Sequence, residues 1–444
     1  MNTYDVRIED QNIILNKLDS KFSYTDGSIY ANSVNWQGSA EAPFHSWFRY
    51  REGFSPDLIQ DFTFGDIVLD PFSGSGSTMI ECARRNRQSI GIELNPLSTL
   101  VSRVKLSPLN QDEFSIVKNT LNYLKNNYRK FSPLPKPKLR IIDKVFEPEI
   151  LNLLLKLKAA IYTIEEEKIK NFFLVGWLSR LEDCSNVFKE GNGIKYKNRK
   201  RTNDGYVDRR EGWQEDFFGS DYPIYVWEQF EGQILRMISD AVNSDWHSWP
   251  IQSIYQGNAL NLDKYVSPST IDSVIFSPPY ANRFDYFEAF KIELWMGDFV
   301  NSYNQLLSLR KESIRSNLGA SINHDVQKFI VLENLIQLMD KSSSSWRMRV
   351  PDALRGYFTD MEIVLQKLFT ALKKGGQCSI VVGNSAYAGV IIPTDSILAT
   401  IAEKVGFVVE EILVARHLTT SPQQRTKLID LADYMRESIL ILRK

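Results

Sequence analysis

Apolar residues along the chain alternate between two spacings. Ile67–Asp70 (IVLD) is a short apolar run; it is followed by PFSGSGS and then by TMIECARRNR, whose apolar residues recur at helical spacing. SIGIEL, Ser89 to Leu94, is a second short β-rich run, so strand, glycine loop, helix and strand make one βαβ unit. From Ser107 the pattern becomes amphipathic and helical, over Glu113–Tyr128, Glu147–Leu181 and Trp227–Val242, with the proline-punctuated linker FSPLPKPK between the first two. A basic, glycine-containing stretch from Lys189 to Gly212 reads as a loop. The α/β pattern returns at Ser253 with SIYQGNAL and SVIFSPPY. It continues, after a stretch from Asn301 to Pro351 without strand signal, through a helix at Phe358–Leu372, the strand QCSIVVGN, a helix at Thr394–Val405 and the strands FVVEEILVAR and SILILRK.

These elements predict an α/β fold: a Rossmann-like sheet with helices on both faces and an antiparallel C-terminal hairpin, plus mainly helical insertions. The expected organisation is an N-terminal extension (1–43), a catalytic domain in two pieces (44–106 and 253–444), a mainly helical insertion (107–252), and a second insertion (301–351) within the catalytic domain.

Composition adds limits. The 444 residues, 43% hydrophobic and 24% charged, can bury a sizeable core. The amino-terminal residues MNTYDVRIEDQNIILNKLDSKF hold no continuous apolar segment, so no signal peptide or membrane span is read there and a cytoplasmic location is expected. The three cysteines are widely spaced and the four histidines are not clustered, so neither a disulfide framework nor a metal site is expected. A formal charge of −1 means that attraction to nucleic acid must come from local clusters.

Asp70-Pro71-Phe72-Ser73-Gly74-Ser75-Gly76-Ser77 stands where a strand becomes a helix, and its glycines let a ligand approach the backbone. A purely structural turn would use glycine in the same way. Glu93 closes the next strand, where a carboxylate can accept from both hydroxyls of a ribose. The loop lacks the GK[ST] ending that holds nucleotide phosphates and the third glycine of the dinucleotide fingerprint, which disfavours a pyrophosphate ligand.

Ser277-Pro278-Pro279-Tyr280 follows the buried run VIF at a strand's carboxyl end, the place where open α/β sheets bind ligands. The prolines remove backbone donors, leaving the Ser277 hydroxyl and the Pro278 carbonyl as acceptors, a match for the two N–H groups of an exocyclic amine. Accepting those hydrogen bonds draws the amino nitrogen toward a tetrahedral, nucleophilic form. Tyr280 can stack on a base taken out of the duplex, although a proline turn with a packed tyrosine has the same letters.

Together, DPFSGSGS and SPPY resemble the S-adenosylmethionine-dependent amino-methylating DNA methyltransferases, whose loops read D-P-F-x-G-x-G-[ST] and [DNS]-P-P-[YFW]. The resemblance covers about Phe44–Leu106 and Ser253–Lys444, and leaves out Ser107–Gln252 and the smaller stretch Asn301–Pro351. It implies S-adenosyl-L-methionine as cofactor and double-stranded DNA as partner, with a cognate restriction endonuclease or other defence-system partner as a second expectation. It also implies that Phe54 and Ser55 in RYREGFSPDLI (Arg49 to Ile59) contribute to the methionine end of the site, and that Asn258 and Ala259 occupy the family's G-D-A stretch, with Asn258 in place of the usual acid. A serine at the first position of the tetrapeptide is associated in this family with N4-cytosine, whereas aspartate or asparagine accompanies N6-adenine. The implied activity is site-specific methylation of cytosine N4; the alternatives are N6-adenine methylation, RNA amino-methylation, and a silent DNA-binding subunit.

For target contact, KYKNRKRTNDGYVDRR offers Lys195, Lys197, Arg199, Lys200, Arg201, Arg209 and Arg210 against two aspartates. LRKESIR (Leu309 to Arg315), with Arg347, Arg349 and Arg355, is a second candidate that reads equally as an amphipathic helix face. Asn384 and Asp395, near strand ends, are candidates for the base pocket, with helix capping as the other use for Thr394 or Asp395.

Overall fold

The computed structural model describes residues 3–36, 41–50, 53–190, 193–202, 205–208, 222–316, 326–419 and 426–444. Its strands are β1 (Tyr24–Asp26), β2 (Ile67–Asp70), β3 (Gln88–Glu93), β4 (Val187–Glu190), β5 (Gly193–Tyr196), β6 (Arg199–Thr202), β7 (Gly205–Asp208), β8 (Ser253–Gln256), β9 (Ile271–Phe276), β10 (Leu372–Gly383), β11 (Ser385–Tyr387), β12 (Val390–Ile392), β13 (Val408–His417) and β14 (Arg436–Arg443).

Eight of them form one sheet in the order β1-β13-β14-β10-β9-β2-β3-β8. The run from β10 through β9, β2 and β3 to β8 is parallel, and β14 is antiparallel to both of its neighbours. The expected C-terminal hairpin is therefore present, with β14 inserted between β10 and β13. The sheet order reverses at β2, which pairs with β3 on one side and β9 on the other, so the loops after β2 and β9 leave neighbouring strand tips. That reversal is the crevice where open α/β sheets bind ligands.

Along the central strands the side chains alternate, as a period of two requires. Leu69, Val274, Phe276, Ile380, Val382, Leu440 and Leu442 join the core under the helices Val350–Ala371 and Thr394–Val405. Val68, Ile275, Val381, Ile439 and Ile441 face the other way, against Leu58, Ile59 and Phe62 of the helix Pro56–Phe62. Burying one such side chain stabilises the fold by about 1.5–3 kcal/mol, an upper figure because the unfolded chain already buries part of it. This two-sided burial is why the sheet runs read as continuous apolar segments.

The helices Gln111–Asn127, Pro148–Tyr162, Glu167–Ser179 and Tyr222–Val242 carry a third core. It is continuous with the helix Pro96–Lys105 through Leu97 and Val101, and with Phe44, Trp47 and Trp246. Within the basic stretch expected as a loop, residues 187–190 and 193–196 pair as one antiparallel hairpin and 199–202 and 205–208 as another. Alternating residues such as Val187, Ile194 and Tyr196 carry a weak period-two signal that the glycines and charges around them mask. The N-terminal segment also contributes to the sheet: β1 extends it as an edge strand parallel to β13. Three residues are too few for a pattern to be read. Among the described residues no helix is long and apolar enough to cross a membrane.

Candidate active site

The loop after β2 is closed by its own first residue. Asp70, 2% exposed, accepts from Phe72 N at 3.0 Å and from Thr78 Oγ1 at 2.6 Å, tying the strand's end to the first turn of the helix Ser77–Arg84. Burial pushes its carboxyl up to about 7, against the pull of those two hydrogen bonds. Gly74 (φ +49°) and Gly76 (φ +87°) take left-handed backbone that side chains disfavour, and neither has room for one. A Cβ at Gly74 would lie 2.8 Å from the Tyr50 ring, and one at Gly76 would lie 2.9 Å from Ser102 Oγ.

Glu93 ends β3 beside this loop. Its Oε2 accepts from Gly74 N at 2.8 Å and its Oε1 from Asn95 N at 2.7 Å, so the carboxylate holds the glycine loop as well as facing the cavity. Burial pushes this carboxyl up to about 7, with the two backbone hydrogen bonds opposing and Asp70 adding to the rise. From below, the buried Lys105 ammonium donates to the Ser75 carbonyl at 3.0 Å, and burial pushes its value down to about 7.

Above the loop lies a cavity with about 890 Å³ of empty space, its mouth included. Phe54, Asp70, Pro71, Phe72, Ser73, Gly74, Ser77, Glu93, Asn258 and Ala259 line it, together with Ser277 and Pro279 of the tetrapeptide. The Ser73 hydroxyl, on that wall, is buried with no hydrogen-bond partner among the described residues, a polar group awaiting one. Asn258 spends its side chain on structure: Oδ1 accepts from Leu260 N at 2.9 Å, capping the short helix Ala259–Lys264, and Nδ2 donates to the Glu312 carbonyl. Ser55, Gly76, Pro278 and Tyr280 are not on this wall; Ser55 is buried at the start of the helix Pro56–Phe62, and Gly76 caps the helix behind the loop.

Tyr280 lines a second cavity, with about 1260 Å³ of empty space, which shares Gly53, Ser277 and Tyr286 with the first. Its wall is aromatic and charged, with Trp36, Tyr280, Phe284, Tyr286 and Phe290 beside Arg49, Lys189, Arg416 and Glu437. Lys189 and Gly193 belong to the β4–β5 hairpin, so a segment between the two motifs in sequence reaches the site. The Lys189 ammonium bonds Glu293 Oε1 at 2.6 Å and sits 4.2 Å from the centre of the Phe290 ring.

The other candidates are dispersed. Lys195 is an exposed residue of β5, and the Lys197 ammonium donates to the carbonyls of Glu182 at 3.1 Å and Ser185 at 2.8 Å. Arg199, Lys200 and Arg201 lie on β6, while Arg209 and Arg210 fall outside the described residues. In the second basic stretch Arg310 pairs with Asp285 at 2.5 Å, Arg315 with Asp360 at 2.6 Å and Arg355 with Glu333 at 2.7 Å. Asn384 and Asp395 line neither cavity. Asn384 Oδ1 accepts from Asp395 N at 3.1 Å, and the fully buried Asp395 accepts from Arg436 Nε at 2.7 Å. Sequence reasoning missed Tyr286 and Phe287 on the first wall, which carry no motif; Tyr50 lies in RYREGFSPDLI, where only Phe54 and Ser55 are singled out, and Ser313 and Ile314 lie in LRKESIR, a candidate DNA contact.

Comparison with known proteins places this arrangement. Residues 55–98, which hold the glycine loop and Glu93, match the family model described as DNA methylase, of the N6/N4 type. The Type II methyltransferase M.AvaI of Nostoc sp. is 26% identical over 420 residues, covering 87% of this chain and 84% of that one. M.BsoBI of Geobacillus stearothermophilus is 26% identical over 425 residues, 84% of this chain and 80% of that one. These likenesses support the family of amino-methylating DNA methyltransferases for this chain. The Type II methyltransferase M.MvaI of Kocuria varians is 22% identical over 433 residues, covering 89% of this chain and 88% of that one. At such coverage the likeness to these relatives extends into residues 107–252, beyond the two pieces in which the motifs lie. That family is S-adenosylmethionine-dependent. The cradle here fits that group, since the glycines leave no side chain in the way, Glu93 offers acceptors and the Ser73 hydroxyl has no other partner among the described residues.

Proposed function

We propose that this methyltransferase modifies the N4 amino group of cytosine within a specific sequence of double-stranded DNA. The observation that carries this reading is the shared wall: Ser277, at the tip of β9, borders both the cavity above the glycine loop and the aromatic cavity beside it. S-adenosylmethionine bound in the first cavity would supply an electrophilic methyl group. Glu93 accepts from the ribose hydroxyls, the apolar faces of Phe54, Pro71 and Phe72 exclude water, and Ser73 completes a polar contact. In the second cavity the extruded base stacks on Tyr280 and the Ser277 hydroxyl accepts from its amino group; the Pro278 carbonyl, from a buried residue that lines neither cavity, is the second acceptor proposed from the tetrapeptide. Those hydrogen bonds favour the tetrahedral nitrogen and require no covalent intermediate. Burial keeps the Tyr280 phenol neutral, its value raised far above the ordinary one, so the ring presents no charge to the base.

The choice of cytosine rests on serine at position 277, and DNA contact by the basic residues of β5 and β6 remains part of the same proposal. Incubation with isotopically labelled S-adenosylmethionine and varied duplexes, followed by nucleoside mass spectrometry, should yield N4-methylcytosine. N6-methyladenine as the only product would refute the cytosine assignment while leaving the family intact; labelling of RNA alone would refute both base and partner.

A further inference from the structure

The hydroxyl of Tyr280 ends in a charge pair, its carboxylate buried and its guanidinium half-buried, contributed by the last two sheet strands. It donates to Glu437 Oε1 at 2.7 Å, and the other oxygen, Oε2, accepts from Arg416 Nε at 2.5 Å. Glu437, on β14, is 4% exposed, and Arg416 stands directly opposite it on β13. On its other side Glu437 is opposite Gly383 of β10, and the Tyr280 ring covers that glycine. A Cβ at Gly383 would lie 3.0 Å from ring Cε2 and 3.2 Å from Cδ2, so the bare backbone is what lets the ring lie down on the strand. Tyr280, Glu437 and Arg416 all reach the wall of the second cavity.

A half-buried ion pair by itself adds little to stability, because desolvation and solvent screening offset the attraction. Here the carboxylate has a second task. It holds the far end of an aromatic ring whose near end is fixed by the stiff proline turn and whose face is fixed by Gly383. A reacting geometry misplaced by about one ångström can cost about a hundredfold in rate, so a residue that holds the ring's hydroxyl, as Glu437 does alongside Ser277, matters to the chemistry.

We infer that Glu437, oriented by Arg416, is a positioning residue for methyl transfer, and that its hydrogen bond to Tyr280 locks the ring against which the target base stacks. The inference rests on Tyr280 being that stacking surface. It is tested on the full chain by steady-state assays with labelled S-adenosylmethionine and a duplex carrying the sequence found methylated in cells that express the protein. E437Q and Y280F should each lower kcat about tenfold with the cofactor KM unchanged, as loss of one hydrogen bond to a charged group would. The double variant Y280F/E437Q should be no slower than Y280F, because without the hydroxyl the carboxylate has nothing to hold. Wild-type kcat in E437Q, or an E437Q loss that persists in full in the Y280F background, would overturn the positioning role. Should E437Q fail to fold, as its thermal unfolding would show, Y280F decides alone, and wild-type kcat there overturns the inference. Y280A tests the underlying reading separately: wild-type turnover in that variant would remove Tyr280 as the stacking surface, whereas a large loss in Y280A alongside full activity in Y280F and E437Q would sink the positioning role alone.

Discussion

Replacing Glu93 with glutamine should separate cofactor affinity from stability. In the folded protein the Glu93 carboxylate accepts from Gly74 N at 2.8 Å and Asn95 N at 2.7 Å. Burial raises its value from 4.5 to about 7. At about pH 8, where the group is charged in both states, that rise corresponds to about 3 kcal/mol of destabilisation. A glutamine side chain would relieve it but keep only one acceptor oxygen, turning an N–H donor toward Gly74 or Asn95 and losing about 1.5–3 kcal/mol. The two effects oppose, so the free energy of unfolding at about pH 8 should change by less than about 1.5 kcal/mol. Cofactor binding has no such compensation: a ribose held by an amide in place of a carboxylate should bind about 10- to 100-fold more weakly. The pH dependence follows from the raised value. The folded protein keeps a proton that the unfolded chain has released, so this contribution to stability is full below about pH 4.5 and is lost as pH rises through about 7. Wild type should therefore lose stability between about pH 4.5 and 7, and E93Q should lose less. Isothermal calorimetry with S-adenosylmethionine above that window, and urea unfolding at each end of it, measure the two effects. Wild-type affinity in E93Q, or a loss of several kcal/mol in its stability, would refute the reasoning.

Other perturbations follow from the same structure. G74A places a Cβ 2.8 Å from the Tyr50 ring at φ +49°; with about 1–2 kcal/mol of backbone strain alone, cofactor affinity should fall about tenfold or more, read by the same calorimetry. Tyr50 is itself stacked on Phe290 at 5.5 Å between ring centres, so it has little room to move away, and unchanged affinity would mean that the loop relaxes freely. R436M strips a fully buried Asp395 of its 2.7 Å partner and Asp19 of its 2.8 Å one, which should cost about 3–5 kcal/mol in urea unfolding; a loss under about 1 kcal/mol would show that water reaches the site. Lys105 has its value lowered from 10.5 to about 7 by burial, so the unfolded chain binds the extra proton and stability rises with pH between those values. K105M should flatten that rise, and an unchanged slope across the same window would show that the ammonium is solvated.

The sequence by itself determined the elements that repeat a period and the residues bound into contiguous motifs. IVLD, SIGIEL and VIF announce sheet strands because both of their faces are buried, and DPFSGSGS and SPPY announce sites because glycine and proline set backbone conformations that few other residues can. What only the tertiary structure decided was adjacency. The pairing of β2 with β9 puts residues 70–77 beside residues 277–280, and the antiparallel insertion of β14 delivers Glu437 to Tyr280 from 157 positions away. Tyr50, Tyr286, Ile314 and Lys189 reach the cavities from segments with no shared pattern, and the expected roles of Asn384 and Asp395 gave way to a hydrogen bond and an ion pair that no spacing predicts. Local sequence encodes φ, ψ and burial residue by residue, whereas a contact between distant segments depends on how every intervening element packs, and that is settled only when the cores close.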